Sequence, residues 1–168
     1  NQKSADCRRR SSKMGVEIER KFLLQSDSWQ ADADAGEYYH QGYLSTTPER
    51  VVRVRQMGEK AVVTIKGKGD GISRPEFEYE IPLDDAQTML RELCLQPTIE
   101  KRRHKLTCGP HTWEIDVFAG ENEGLVVAEI ELTSEDEAFE KPDWVGAEVS
   151  HDTRYLNSNL IAQPFKSW

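Results

Sequence analysis

Alternation of apolar and polar residues with a period of two is the feature that most limits how this 168-residue chain can fold. Turn signals such as Met57-Gly58 and Gly109-Pro110 separate the alternating segments, and short connections of this kind join antiparallel neighbours. Eight segments have the length and pattern of strands: residues 15–24, 38–45, 51–57, 60–68, 74–82, 98–107, 111–119 and 124–133. The sequence therefore predicts a mainly β, antiparallel fold.

Helical signals are few and short. Asp84 and Asp85 can cap a helix that ends before Pro97, and Ser134 with Glu137 forms a capping box for a second helix. Segments 156–162 and 26–35 are further candidates. We expect these short helices to pack outside the strands.

Charged side chains occupy the same alternating positions on nearly every predicted strand. A solvated sheet face explains scattered charges, but two carboxylates about 6–7 Å apart on one face repel each other unless a cation lies between them. The carboxylates recur in pairs or runs at Glu17 and Glu19, at Glu76, Glu78 and Glu80, at Glu114 and Asp116, and at Glu129 and Glu131. The bases on the same parity are Lys21, Arg53, Arg55, Lys66, Lys68, Lys101, Arg103 and Lys105.

Eight strands are enough to close an antiparallel sheet around one axis. We therefore predict a closed eight-stranded antiparallel β-barrel with a charged, wet tunnel inside. Its apolar face would point outward, under the helices and the segments around Trp29 and Trp144. Such a tunnel suits a compact polyanion, with Mg²⁺ or Mn²⁺ as cofactor, because hard divalent cations prefer oxygen ligands.

The overall charge disfavours nucleic acid as a partner. The chain has a net charge of -8, and five of its bases but only one acid lie in residues 1–13, so the remainder carries -12 and repels polyanionic surfaces. We predict that residues 1–13 are a non-native tail and that residues 14–168 form a single domain. No apolar segment approaches the length of a membrane span, and three cysteines without CxxC spacing indicate neither a disulfide framework nor a zinc site. We expect a cytoplasmic protein without membrane partners, for which monomer and homodimer both stay open.

The residues at these positions resemble the CYTH superfamily, the triphosphate tunnel metalloenzymes. Glu17-Ile18-Glu19-Arg20-Lys21 matches the ExExK signature of that family, and the resemblance covers residues 14–162. Further motifs follow in the family's order at Gln41-Gly42-Tyr43-Leu44, Arg53-Val54-Arg55, Thr64-Ile65-Lys66, Glu76 to Glu80, Lys101-Arg102-Arg103, Glu114 to Phe118, Glu129-Ile130-Glu131 and Asp152 to Asn157. The chain is most similar to the small bacterial inorganic triphosphatases of the family.

The resemblance implies a role for each of these side chains. Divalent metal would be held or oriented by Glu17, Glu19, Glu114, Asp116, Glu129 and Glu131, and the phosphates would be bound by Lys21, Arg53, Arg55, Lys66, Lys101, Arg103 and Arg154. The family often has Lys at the position of Arg154, which keeps the charge but changes its geometry. Glu17, Glu19, Lys101 and Tyr43 are the implied catalytic residues, while Tyr43 could equally pack. For Glu76, Glu78 and Glu80, a role in the site and a salt bridge to a tunnel base are equal alternatives. Lys68 and Lys105 are expected at the tunnel rim.

The expected activity is metal-dependent hydrolysis of inorganic triphosphate, a small-molecule substrate, to pyrophosphate and phosphate. Two alternatives stay open on the same scaffold: adenylate cyclase activity, and hydrolysis of a nucleoside or thiamine triphosphate. A non-catalytic module that binds polyphosphate or nucleotide is the alternative from another class. It would tolerate loss of the carboxylate pairs, all of which are present.

Overall fold

One antiparallel sheet organises the chain in a computed structural model that describes residues 18–68 and 75–168. Its strands are β1 (Ile18–Leu24), β2 (Glu37–Thr47), β3 (Arg50–Met57), β4 (Lys60–Gly67), β5 (Glu76–Ile81), β6 (Ile99–Cys108), β7 (His111–Phe118), β8 (Val126–Leu132) and β9 (Val145–Glu148). Gly58 and Gly109 adopt left-handed φ angles of 57° and 60° in the β3–β4 and β6–β7 turns, where glycine is favoured. The mainly β, antiparallel prediction is confirmed.

The sheet has nine strands in the order β5-β4-β3-β2-β6-β7-β8-β1-β9, which corrects the predicted number of eight, and these pairings do not show the predicted closure into a barrel. No pairing joins β5 to β9 within residues 18–68 and 75–168. The physical reason lies at β1, whose second edge pairs with the short strand β9 and is not available there to a strand from the far side. An ion pair from Arg20 to Glu148 reinforces this pairing.

The outer face of the sheet is apolar and carries most of the core. Phe22, Trp113, Ile115 and Ile130 are buried together there, covered by Trp29 and Trp144 as expected. Further along the same face, helix α1 (Leu83–Glu92) packs Ala86 and Leu90 against Val54. Burial of α1 explains its amphipathic pattern. At the β4–β5 edge, Ile65 remains 39% exposed.

Helix α2 (Asn157–Ala162) packs on the opposite, inner face, so the expectation that the helices lie outside is correct for α1 and wrong for α2. Leu160 and Ile161 are buried against Ile99, Phe118 and Val127. These three sheet residues share their parity with Lys101, Asp116 and Glu129. The inner face is therefore apolar at one end and charged beside it, so it is not charged throughout as predicted.

Two of the predicted short helices are not α-helices. The helix expected from Ser134 is only a turn: the Glu137 carboxylate accepts a 2.6 Å hydrogen bond from the N–H of Thr133, one residue before the predicted cap, and no helix follows. The 26–35 signal corresponds to a 3₁₀ turn at Ser28–Ala31.

The proposed tail at residues 1–13 lies outside the described residues. Neither α-helix of the described chain has the length and apolar composition needed to cross a membrane.

Candidate active site on the inner face

A cavity of about 350 Å³ opens on the inner face of the sheet. Strands β1 and β4 both line it, although five strands separate them in the sheet order, so the sheet curls strongly around this space. The polar lining residues are Glu19 and Lys21 from β1, Tyr43 and Thr46 from β2, Arg53 from β3, Thr64 and Lys66 from β4, and Asn157 and Ser158 from α2. Several predicted site residues from distant parts of the chain thus meet here.

Glu19 and Glu129 form a carboxyl pair at the wall of this cavity. Desolvation, the hydrogen bond to Glu129 and the negative charge of Glu129 together raise the pKa of Glu19 to about 8. Burial opposes ionisation of Glu129 too, but the hydrogen bond from Glu19 and the charge of Lys21 outweigh it and lower the pKa of Glu129. The Lys21 Nζ atom lies 3.5 Å from Glu129 Oε1. The two carboxyl groups therefore oppose each other's ionisation, and a cation bound between them would remove that repulsion.

A buried ion network centres on Asp116. Its carboxylate accepts hydrogen bonds from Lys101 Nζ at 2.8 Å, Arg103 Nε at 2.8 Å and Arg103 Nη2 at 2.9 Å. The pKa of Asp116 is lowered because these two cations outweigh the effect of its burial. Burial lowers the pKa of Lys101 to about 8, against the attraction of Asp116. Arg103 also contacts Glu114, with Nη1 2.6 Å from Oε2, so both β7 acids are occupied by bases.

Arg53 and Arg55 differ from Arg103 because their bonded neighbours are neutral. Arg55 Nε donates a 2.9 Å hydrogen bond to the Gln41 carbonyl oxygen, and Arg53 Nη2 contacts Thr64 Oγ1 at 3.4 Å. Burial, followed by the charges of Arg53 and Arg103, lowers the pKa of Arg55 to about 10. Over the described part of the chain, neither Arg53 nor Arg55 forms an ion pair with a carboxylate. These guanidinium groups therefore retain their positive charge for an anion.

The other predicted residues lie around this centre or away from it. Lys66 is 3.9 Å from Glu76, and Glu131 is exposed opposite Glu19 in the sheet register. Arg154 lies on the surface, where it pairs with Asp152 and stacks over Trp168 at 4.8 Å, and it does not line the cavity. Lys68 contacts Glu49 at 4.0 Å. Glu17 lies outside the described residues.

Two buried neutral residues of the site were not predicted as functional: Gln41 and Thr64, each 0% exposed. Both occupy inward positions in the period-two pattern, between or opposite charged residues, which is the signal that could have identified them. Thr64 also lies 3.3 Å from a Glu78 carboxylate oxygen, which gives that acid a contact at the site. Among residues 18–68 and 75–168, no three carboxylate, histidine or cysteine side chains are arranged to hold a metal ion.

A curled antiparallel sheet with bases and paired carboxylates on its inner face defines a class of protein that binds compact anions. The CYTH domain model matches residues 15–163, and the chain belongs to the CYTH family. It is 50% identical over 155 residues to an inorganic triphosphatase of Acetivibrio thermocellus, covering 92% of this chain and 99% of that protein. An inorganic triphosphatase of Nitrosomonas europaea is 39% identical over 154 residues, covering 86% and 96%. The crystal structure of an inorganic triphosphatase superposes with a TM-score of 0.68 at 34% identity, over 88% of this chain and 95% of that one.

Proposed function

We propose that this protein is a hydrolase that cleaves inorganic triphosphate to pyrophosphate and phosphate. The observation that carries the proposal is the convergence of Lys21, Arg53 and Lys66, from three strands, on one small cavity. Cations from several directions can surround a compact anion, whereas the described lining offers no aromatic platform for a nucleoside base beyond Tyr43. The names of the two curated relatives support the same substrate.

Binding and orientation of the substrate fall to the basic residues. Lys21, Arg53 and Lys66 would contact phosphoryl oxygens directly, and Arg55 would add charge from β3. Lys101 and Arg103 do not line the cavity, and Asp116 and Glu114 largely neutralise their charges. The Tyr43 hydroxyl would donate to a substrate oxygen. Positive charges held in fixed places in this way stabilise the transition state of phosphoryl transfer, mainly by orienting the substrate and by their electrostatic field.

The carboxyl pair suits a divalent cation. Ionised Glu19 raises the cost of ionising Glu129 and the reverse, a metal would remove this mutual repulsion, and oxygen donors with phosphate as co-ligand suit Mg²⁺ or Mn²⁺. Glu131 and Glu17 are further candidate ligands, whereas Asp116 and Glu114 would have to share their oxygens with bases. When bound, the cation would neutralise phosphate charge and lower the pKa of a coordinated water.

We also propose that the curled sheet encloses its substrate as a tunnel. Support comes from the shared cavity of β1 and β4, and from α2 at its mouth. A tunnel of this kind would exclude water from the phosphates except where the acids hold it, which strengthens each charge interaction.

A phosphate-release panel tests the proposal. Wild-type protein is compared on triphosphate, ATP, thiamine triphosphate and longer polyphosphate, each with Mg²⁺ or Mn²⁺, with cyclic AMP measured in parallel. We expect the highest kcat/KM on triphosphate and no turnover in excess chelator. Arg53→Ala should lose activity, while Arg91→Ala, which removes an exposed arginine of α1, should not. A higher kcat/KM on ATP, or cyclic AMP as main product, would overturn the assignment.

A further inference from the structure

The buried side-chain amide of Gln41 on the inner face is energetically unfavourable. The side chain is 0% exposed, and its Nε2 atom has no hydrogen-bond partner. A buried donor left without a partner is destabilising, and such groups are uncommon in folded proteins. An apolar residue of similar volume would avoid the penalty, so the amide needs another reason to be there.

The other half of the amide supplies that reason. Gln41 Oε1 accepts the 2.9 Å hydrogen bond from Arg55 Nε, and the orientation of the amide follows because a guanidinium can only donate. Gln41 and Arg55 are direct cross-strand partners in the β2–β3 register. The Tyr39 ring, whose centroid is 5.4 Å from the Arg55 guanidinium carbon, contacts Arg55 from a second side. Two contacts thus fix the plane of the guanidinium.

Both contacts orient Arg55 without neutralising it. Across the same sheet, Arg103 has the carboxylate of Asp116 as its cross-strand partner, and that pair is satisfied internally. We propose that Gln41 is the positioning residue of Arg55, a neutral acceptor that orients the guanidinium so that its charge stays available to the triphosphate. This inference rests on the proposed function, and it adds a specificity determinant: Arg55 does not line the cavity but adds positive charge behind Arg53, and a carboxylate at position 41 would neutralise that charge.

Gln41→Glu tests the charge half of the proposal. The new carboxylate would lie within ion-pair distance of Arg55 and compensate a buried cation. We therefore expect a melting temperature equal to or above that of wild type, together with a rise of roughly tenfold or more in KM for triphosphate, as for loss of one positive charge that attracts the anion. A residue with a purely packing role predicts the reverse: altered stability and unchanged KM. An unchanged KM for Gln41→Glu in a folded protein would overturn the proposal.

A double-mutant cycle tests the positioning half. Gln41→Met keeps the volume but removes the acceptor, and Arg55→Ala removes the group that Gln41 orients. If Gln41 acts through Arg55, Gln41→Met should raise KM in the wild-type background and have little further effect in the Arg55→Ala background. Gln56→Met is the matched control, since Gln56 lies on the neighbouring strand and bonds the Gly58 carbonyl instead. It should leave KM unchanged.

Two results keep this inference separate from the proposed function. If the KM effects of Gln41→Met and Arg55→Ala multiply, Gln41 does not position Arg55, although hydrolysis by wild type still stands. If wild type fails to hydrolyse triphosphate, the proposed function falls. Calorimetric titration of the same variants with triphosphate would then still decide whether Gln41 controls anion binding through Arg55.

Discussion

Asp116→Asn is the substitution with the most sharply defined consequence for stability. The carboxylate is 2% exposed and accepts three hydrogen bonds from two cations. Asparagine keeps the shape but removes the charge, which leaves Lys101, 1% exposed, and Arg103 partly uncompensated. Removing one partner of a buried ion pair is destabilising by about 3–5 kcal/mol. For a chain of this size each kcal/mol lowers the melting temperature by about 2–4 °C, so the expected fall is roughly 6–20 °C.

The assay is urea unfolding followed by tryptophan fluorescence, with thermal melting alongside. Asp152→Asn is the matched control, because Asp152 makes a comparable contact with Arg154 on the surface, where solvent screens it. It should give no measurable change. Added triphosphate should restore part of the stability of Asp116→Asn, because the anion binds beside the unbalanced cations. Stability within about 1 kcal/mol of wild type would refute the reasoning, because a buried pair cannot be removed at so small an effect.

Three further predictions address the carboxyl pair, the β1–β9 contact and the inner-face helix. Glu129→Gln should abolish phosphate release while the fold survives, and excess metal should restore part of it; near-normal, chelator-sensitive turnover would contradict a metal site at Glu19 and Glu129. The partner Arg20 lowers the pKa of Glu148 to about 2, from 4.5. Because the folded pKa is the lower one, the stability that Glu148 supplies is complete above pH 4.5 and is lost as pH falls toward 2; Glu148→Gln should lower unfolding free energy by about 0.5–1 kcal/mol at pH 7 and by nothing near pH 2, after allowance for solvent screening. Leu160→Ala should cost about 2–5 kcal/mol in urea unfolding, as for a buried leucine, and an effect below 1 kcal/mol would show that α2 does not pack on the inner face.

Most of the sheet was predictable because its pattern is local. All eight predicted strands are present within a few residues, since period-two alternation directly reports which side of a strand is buried. Strand β9 was missed because four residues containing Gly146 carry too little alternation to register. Pairing of β9 with β1 is a long-range event, and the sequence alone gives no measure of it.

The position of α2 shows a second limit. Leu160 and Ile161 are apolar enough to predict burial, but both faces of the sheet have apolar sites, and only the tertiary path of the chain selects the inner one. The site was predictable where charge marked it, at Glu19, Lys21 and Arg53. It was not predictable where charge was absent or misleading: Gln41 is neutral, and Arg154 bears the expected charge but lies on the surface.

Strand register decides which of the inner charges can serve a ligand. On β6 and β7 it places Asp116 opposite Arg103, so that the two charges neutralise each other and the ion pair stabilises the interior. On β2, β3 and β4 it places Gln41 opposite Arg55 and Thr64 opposite Arg53, so that two arginines meet neutral acceptors. Because a buried cation without a counterion is unfavourable, this side of the sheet is stabilised when an anion arrives. The same alternating pattern therefore pairs the inner bases of β6 and β7 with carboxylates, whereas Arg53 and Arg55 of β3 bond neutral acceptors, and Arg53 lines the cavity.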